Sequence, residues 1–291
     1  MTAIIVKSKD IENLDDLPLP DYEGLNLERY NMMLDGQKAI TISSGRGCNR
    51  ACFYCGSASI KKVRNHSARY FVDHVKMLYE KYNFKAFYVV DDIFTNNYKR
   101  VYEICDLLIK EIPERLCFRI TTRADLLTQD LCYKMKEAGV EIISIGLESG
   151  SPKVLKAMLK HETLEQQREG VEFCYNAGIK VKGFFIIGLP LEEWKDVMMT
   201  INFAKELVQT KRIHYADAYI LNPIPASPFW HTPEKFGIEY NKPIDSDWNT
   251  FYQVGKDGYH INIKHPYLSE EQLREGLKLF HKEVNVQGMT S

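Results

Sequence analysis

Apolar residues recur along this chain with two periods that take turns. Ala39-Ile40-Thr41-Ile42-Ser43 is a short β-rich run. After it, Phe71, Val75, Leu78 and Tyr79 recur at helical spacing and predict a helix over residues 68–82 with one apolar face. The alternation then repeats. Strands are predicted at 85–90, 117–123, 141–148, 181–190 and 215–221, with helices at 98–110, 131–138, 165–177 and 194–207 between them. Gly139 and Gly178 sit where the third and fourth helices should close. Strands alternating with helix-length patterns imply βα units around a parallel sheet. The fold class is therefore α/β, an incomplete (β/α)6 TIM-like barrel whose lateral mouth could admit a substrate larger than a metabolite.

The two ends read differently. Leu14 to Tyr22 is acidic and punctuated by Pro18 and Pro20, so residues 1–35 are expected to form an extended N-terminal arm. The barrel is placed at residues 36–222. Beyond it, Pro223, Pro225, Pro228 and Pro233 break the pattern into loops. Ser269, Leu273, Leu277 and Phe280 mark an amphipathic closing helix, and Ser269 with Gln272 has the form of a capping box. Residues 223–291 are expected to supply loops and a helical extension covering the barrel mouth.

Composition adds little beyond exclusions. Of 291 residues, 45% are hydrophobic and 26% charged, as in ordinary globular proteins, and a net charge of −1 makes no electrostatic case for nucleic acid or membrane. No apolar stretch is long enough to span a bilayer, and the first residues lack the form of a signal peptide. Seven cysteines, an odd number, argue against a secreted disulfide framework and for a reducing, cytoplasmic setting.

Three of those cysteines carry the chemistry. Gly47-Cys48-Asn49-Arg50-Ala51-Cys52-Phe53-Tyr54-Cys55-Gly56 is a C-x3-C-x2-C loop that follows directly on the first strand. Thiolates are soft ligands suited to iron–sulfur clusters or zinc. Three of them hold three corners of a [4Fe–4S] cluster and leave one iron open for chemistry. The alternative is a structural zinc, with His66 as fourth ligand. The spacing, with Tyr54 before the last cysteine, resembles the radical SAM superfamily. That resemblance implies that the open iron chelates S-adenosylmethionine and that an electron from the cluster releases a 5′-deoxyadenosyl radical. It also implies a one-electron donor such as a flavodoxin or ferredoxin as partner.

Active sites of (β/α) barrels form at the C-terminal ends of the strands, where the polar residues of this chain gather. Period-two alternation puts Arg119, Thr121 and Arg123 on one face of the third strand, and Ser144, Gly146 and Glu148 on one face of the fourth. A zwitterionic cosubstrate could answer Arg123 and Glu148; the competing reading is a salt bridge between those two that stiffens the barrel. Further assignments follow from similarity to cobalamin-binding-type and methylthiotransferase members of the superfamily. Val89-Val90-Asp91-Asp92-Ile93-Phe94 resembles their version of the run that receives the methionine amino group, with either aspartate as acceptor. Gly146-Leu147-Glu148-Ser149-Gly150 resembles the segment near the ribose or methionine, and Arg168 is a candidate partner for the carboxylate. Gly183 to Pro190 resembles the adenine-side strand, with Gly188 at the ring edge. Asn222 to Trp230 resembles the loop after the last barrel strand, and with Tyr215, Asp217 and Tyr219 it is the candidate substrate wall.

The resemblance covers roughly Leu14 to the C-terminus and leaves too few residues upstream for a Rossmann-like cobalamin domain. Cys105, Cys117, Cys132 and Cys174 lie scattered in apolar surroundings, which favours core roles over a second cluster. The expected enzyme therefore abstracts hydrogen from an unactivated C–H bond of a small molecule or peptide, with epimerisation, rearrangement or elimination preferred. Methylation through cobalamin held elsewhere is the alternative, and a zinc-stabilised binding protein without catalysis is the alternative of another class.

Overall fold

The computed structural model of the chain describes residues 11–60, 62–241, 254–255 and 258–284. One sheet of seven strands organises it: β1 (Met33–Leu34), β2 (Gln37–Ile42), β3 (Ala86–Val89), β4 (Cys117–Thr122), β5 (Val140–Glu148), β6 (Lys180–Ile187) and β7 (Tyr215–Ile220). Their spatial order equals their chain order. β1 and β2 are antiparallel, and every later pair is parallel. The helices are α1 (Ala68–Tyr82), α2 (Tyr98–Glu111), α3 (Gln129–Glu137), α4 (Pro152–Ala157), α5 (Leu164–Asn176), α6 (Trp194–Gln209), α7 (Pro228–His231) and α8 (Glu270–Val284). Strand after strand with helices between gives a curled half-barrel, the incomplete TIM-like barrel expected from the pattern.

Alternation along the strands decides which side each residue serves. Ile40, Phe87, Ile120, Ile143, Val181 and Phe185 join the helix residues Phe71, Val75 and Leu78 in the main core. The opposite, concave face carries half-buried Tyr88, Arg119, Thr121, Phe184, Asp217 and Tyr219. Its lower end is plugged by a separate apolar cluster of Leu34, Ala39, Ala86, Cys117 and Ile142, with Tyr88 and Tyr215 packed against it. Leu34 reaches that position through a tight hairpin. Asp35 and Gly36 take φ of 50° and 76°, the left-handed pair that suits the twist of a two-residue turn. The sequence reading placed this stretch in the extended arm and missed the hairpin. Earlier in the arm, Leu14 is buried, Asp15 accepts from the Ser67 N–H at 3.0 Å, and the Tyr22 hydroxyl meets His74 Nε2 at 2.9 Å.

The closing helix α8 starts on the expected box, Ser269 Oγ accepting from the Gln272 N–H at 3.2 Å and Gln272 Oε1 from the Ser269 N–H at 2.9 Å. It does not lie over the mouth. It packs against α6, β6 and β7, with Phe280 5.2 Å from Phe185, and so fills the place of the sixth barrel helix. Cover near the cysteine loop comes from α7 and the turn after it instead. The Phe229 N–H bonds to the Phe53 carbonyl at 3.0 Å, and Phe53 packs on Phe229 and Phe236. Among the described residues no helix is long and apolar enough to cross a membrane.

Candidate active site

The cysteine loop leaves the C-terminal end of β2, and the end of β3 holds it there. Asp91 is buried and accepts from the N–H groups of Ser44 at 2.6 Å and Gly45 at 3.0 Å, and from the Ser44 hydroxyl. Burial pushes its carboxyl up, and those donors pull the other way. A two-residue ribbon, Gly45–Arg46 against Arg64–Asn65, closes the base of the loop. Behind it the buried Arg100 donates to the carbonyls of His66 at 2.6 Å and Ser44 at 2.8 Å. Gly47 has φ of 86°, and a Cβ there would lie 2.4 Å from the Lys62 carbonyl oxygen, so the turn admits only glycine. Asp92 is exposed on the rim, where it accepts from the Gly47 N–H at 3.0 Å and from the Ser57 hydroxyl. The aspartates thus divide: Asp91 builds the loop, and Asp92 stands at its open edge.

All seven cysteines are free thiols, with Cys52 buried and Cys48 and Cys55 half-buried. Burial pushes the Cys48 and Cys52 thiols up. N–H donors approach both sulfurs, from the Arg50 backbone to Cys48 at 3.4 Å and from Arg123 Nη1 to Cys52 at 3.9 Å. Arg123 does not pair with Glu148, as the barrel-stiffening alternative required. Its guanidinium is taken by Asp125 at 2.8 and 3.1 Å and by the Lys160 carbonyl at 2.8 Å.

Glu148 is held in a different way. It sits at φ of 66°, where the β5–β6 register shifts, so the carboxylate swings off the strand toward the loop. Tyr54 Oη donates to it at 2.8 Å, and Lys160 Nζ lies 3.6 Å away. Lys160, 3% exposed, also meets the Gly146 carbonyl at 2.5 Å and Glu162 at 3.3 Å. Burial alone would lower its pKa; the carboxylates of Glu148 and Glu162 outweigh it and hold the ammonium up. Burial and Glu148 likewise push the Tyr54 phenol well up. Glu162 accepts from the Asp125 N–H at 3.1 Å, closing a chain of contacts from Arg123 round to Tyr54. The sequence reading missed Lys160, Asp125 and Glu162. Leu159 and His161 flank the lysine with φ of 55° and 52°, a turn with no glycine to announce it.

The other expected residues separate into two groups. Tyr219 and Asn222 join Tyr54, Ile186, Leu221 and Ile224 around a cavity of about 270 Å³ at the ends of β6 and β7. Asp217 lies deeper, paired with Lys182 at 2.6 Å. Three residues do not join them. Tyr215 begins β7 against the lower plug, four residues and roughly 13 Å from Tyr219. Ser149 is buried with its hydroxyl 3.1 Å from Thr200 Oγ1, where it secures the turn into α4. Arg168 is a half-buried α5 residue paired with Glu206 and stacked over Phe203 at 4.8 Å.

Gly188, with φ of 86°, turns the chain at the end of β6, and its N–H and that of Leu189 donate to Glu192 Oε2 at 2.5 and 3.2 Å. Glu192 is fully buried, its Oε1 has no hydrogen-bond partner, and burial pushes its carboxyl up to about 8. Because the folded state keeps this proton longer than the unfolded state, stability should fall as pH rises from about 4.5 to 8, by up to about 1.4 kcal/mol per unit. Denaturant unfolding of Glu192→Gln across that range should show the slope removed; an unchanged slope would assign it to another group.

Three free thiols on one turn, with N–H donors directed at two of the sulfurs, fit the donor set of an iron–sulfur cluster in which one iron lacks a protein ligand. Zinc fits less well. The fourth ligand a zinc site would need, His66, is engaged by Asp15 at 3.2 Å and stacked on Tyr70.

Comparison with known proteins agrees with this geometry. The family model of the Radical SAM superfamily matches residues 42–204, more than half of the chain. An uncharacterized methyltransferase of Pyrococcus horikoshii is 30% identical over 246 residues, 84% of this chain and 51% of that protein. Cytidylyl-2-hydroxyethylphosphonate methyltransferase of Streptomyces wedmorensis is 29% identical over 187 residues, 61% of this chain and 35% of that one. The chain thus spans about half or less of the length of these curated relatives. In fold it is similar to the radical S-adenosylmethionine methyltransferase TsrM from Kitasatospora setae, solved with cobalamin and a [4Fe–4S] cluster. The TM-score is 0.68 at 15% identity, over 88% of this chain and 54% of that one. On the family match, the half-barrel and its cysteine loop, this chain belongs to the radical SAM superfamily of enzymes.

Proposed function

We propose that Cys48, Cys52 and Cys55 hold a [4Fe–4S] cluster, and that the chain uses S-adenosylmethionine there to abstract hydrogen from an unactivated C–H bond of a small molecule or peptide. The observation that carries this reading is the buried network that joins Cys52 through Arg123 and Lys160 to Glu148 and Tyr54, beside the cavity. When bound, the cluster supplies the electron that cleaves S-adenosylmethionine to methionine and a 5′-deoxyadenosyl radical. The protein's part is to bind, orient and exclude water. Asp92, exposed at the loop edge, suits an ammonium; Asp91, its oxygens taken by Ser44 and Gly45, does not. Tyr54 stands in the cavity wall with Glu148 hydrogen-bonded behind it, and Ile186 and Ile224 give an aromatic ring an apolar bed. In this reading residues 1–35 are an arm, 36–222 the catalytic barrel and 223–291 its closing segment.

The fate of the substrate radical has a second reading. The relatives from Pyrococcus and Streptomyces are named as methyltransferases. They favour methylation, with cobalamin supplied from a site outside this barrel, over the quenching or elimination expected from the sequence. With a strong reductant, the reconstituted protein should release 5′-deoxyadenosine and methionine slowly even without substrate. Chromatography of the products with and without cobalamin separates the two outcomes. Deoxyadenosine alone supports hydrogen abstraction with a non-methylating end, whereas S-adenosylhomocysteine that appears only with cobalamin supports methylation. No cleavage by protein with an intact cluster would sink both.

A further inference from the structure

Below the cysteine loop, the concave face of the sheet carries a polar row. In register, Thr121 faces Ser144 and Ser144 faces Lys182 across β4, β5 and β6. Arg119 reaches into this row, donating Nε to Ser144 Oγ at 2.9 Å, while its guanidinium lies over the Tyr88 ring, 5.1 Å from the centroid. Lys182 lies over Phe184 at 5.3 Å and is answered by Asp217 at 2.6 Å. Arg119 has no such answer: among the described residues it forms no ion pair, and its hydrogen bond to Ser144 uses Nε alone. The row therefore holds two cations and one anion.

The guanidinium is half-buried, and its terminal nitrogens have no protein acceptor among the described residues, so they are open to an anion in the lumen. The stack on Tyr88 and the bond to Ser144 fix its plane, so the two terminal nitrogens form a preorganised fork for two parallel N–H···O bonds. The plug of Leu34, Ala39, Ala86, Cys117 and Ile142 closes the barrel beneath, which leaves the mouth as the way in. Ser144 precedes Glu148 by four strand residues, roughly 13 Å. A substrate held at Arg119 therefore extends upward to the level of Tyr54 and Glu148. We propose that Arg119 anchors an oxyanion of the substrate, a carboxylate or a phosphate, with Lys182 beside it, and that this anchor sets which carbon is presented to the cosubstrate. The placement of the cosubstrate rests on the function proposed above; the anion site itself does not.

The test needs no turnover. Anaerobically purified, cluster-loaded protein is titrated with succinate and, separately, with inorganic phosphate, at ionic strength held constant by chloride. Calorimetry gives the affinity, and the Arg119 Nε resonance, identified by its loss in Arg119→Lys, reports the site. Saturable binding that shifts this resonance is expected from at least one anion, and the tighter of the two names the substrate's group. Arg119→Gln should weaken binding at least tenfold. Arg119→Lys, which keeps the charge but not the fork, should also weaken it, and its melting temperature shows that the fold is kept. Binding that survives both substitutions, or no binding of either anion above the chloride background, would overturn the anchor. Failure of the parent protein to cleave S-adenosylmethionine would instead sink the proposed function and leave the anion result standing.

Discussion

Cys48→Ala, Cys52→Ala and Cys55→Ala are each expected to abolish iron binding and all release of 5′-deoxyadenosine, while the fold persists. Anaerobically purified parent protein should be brown and hold about four irons per chain, as a single three-cysteine site implies. The effect is all-or-none because, in the proposed site, each thiolate would hold its own iron with no spare thiol in the loop. His66, the fourth ligand of the zinc alternative, is engaged by Asp15 and stacked on Tyr70. The backbone of the loop does not depend on the thiols. Asp91, Asp92, Arg100 and the ribbon at Gly45–Arg46 hold it in place. Circular dichroism of the alanine variants should therefore match the parent. Cys105→Ala and Cys174→Ala serve as controls: both thiols are buried in the main core, and both variants should keep full iron at a modest cost in stability. Stoichiometric zinc in anaerobically purified parent protein, or full iron in any loop variant, would overturn the cluster assignment.

What the sequence could reveal follows from how each feature is encoded. The barrel strands and helices are written locally: Ile40, Phe87 and Ile143 face the helices because their immediate neighbours face the lumen, and that alternation is visible in a line of letters. The C-x3-C-x2-C loop is local too. The hairpin at Asp35-Gly36 is a turn signal in a short polar stretch whose two-residue strand is too brief for any period to register. Pairings across the fold are not local at all. Arg123 and Glu148 share an inward-facing rim, so a bridge between them is the natural reading. A single 3₁₀ turn at Ala124–Leu126 brings Asp125 back onto Arg123 instead. Likewise Asp91 and Asp92 are equivalent as letters at a strand end. Only the return of the chain at Ser44 and Gly45 uses up Asp91 and leaves Asp92 exposed. Arg168 was reached through likeness to relatives, but its helix turns it toward Glu206 and the surface.

Lys160 is where the fold says most that the sequence did not, and Lys160→Met should cost about 3–5 kcal/mol of stability, the usual price of breaking a buried ion pair from one side. Lys160 is 3% exposed between Glu148 at 3.6 Å and Glu162 at 3.3 Å. Without the ammonium, two buried carboxylates face each other with no cation between them. Glu148→Gln should cost less, because an amide oxygen still accepts from Tyr54 and the lysine keeps Glu162. Combining the two substitutions should then cost less than their sum by about 1 kcal/mol or more, since they sit in one network. Denaturant midpoints of all four proteins measure this directly. Stability alone does not separate a barrel brace from a binding site, so the same proteins are to be compared for S-adenosylmethionine affinity with the cluster absorption intact. Loss of a charge-assisted contact in Glu148→Gln should weaken binding by about 1.5–3 kcal/mol, roughly tenfold or more. Unchanged affinity in both Glu148→Gln and folded Lys160→Met, with stability lost, would make the Lys160–Glu148 pair a brace and move cosubstrate recognition to Asp92 and the loop backbone.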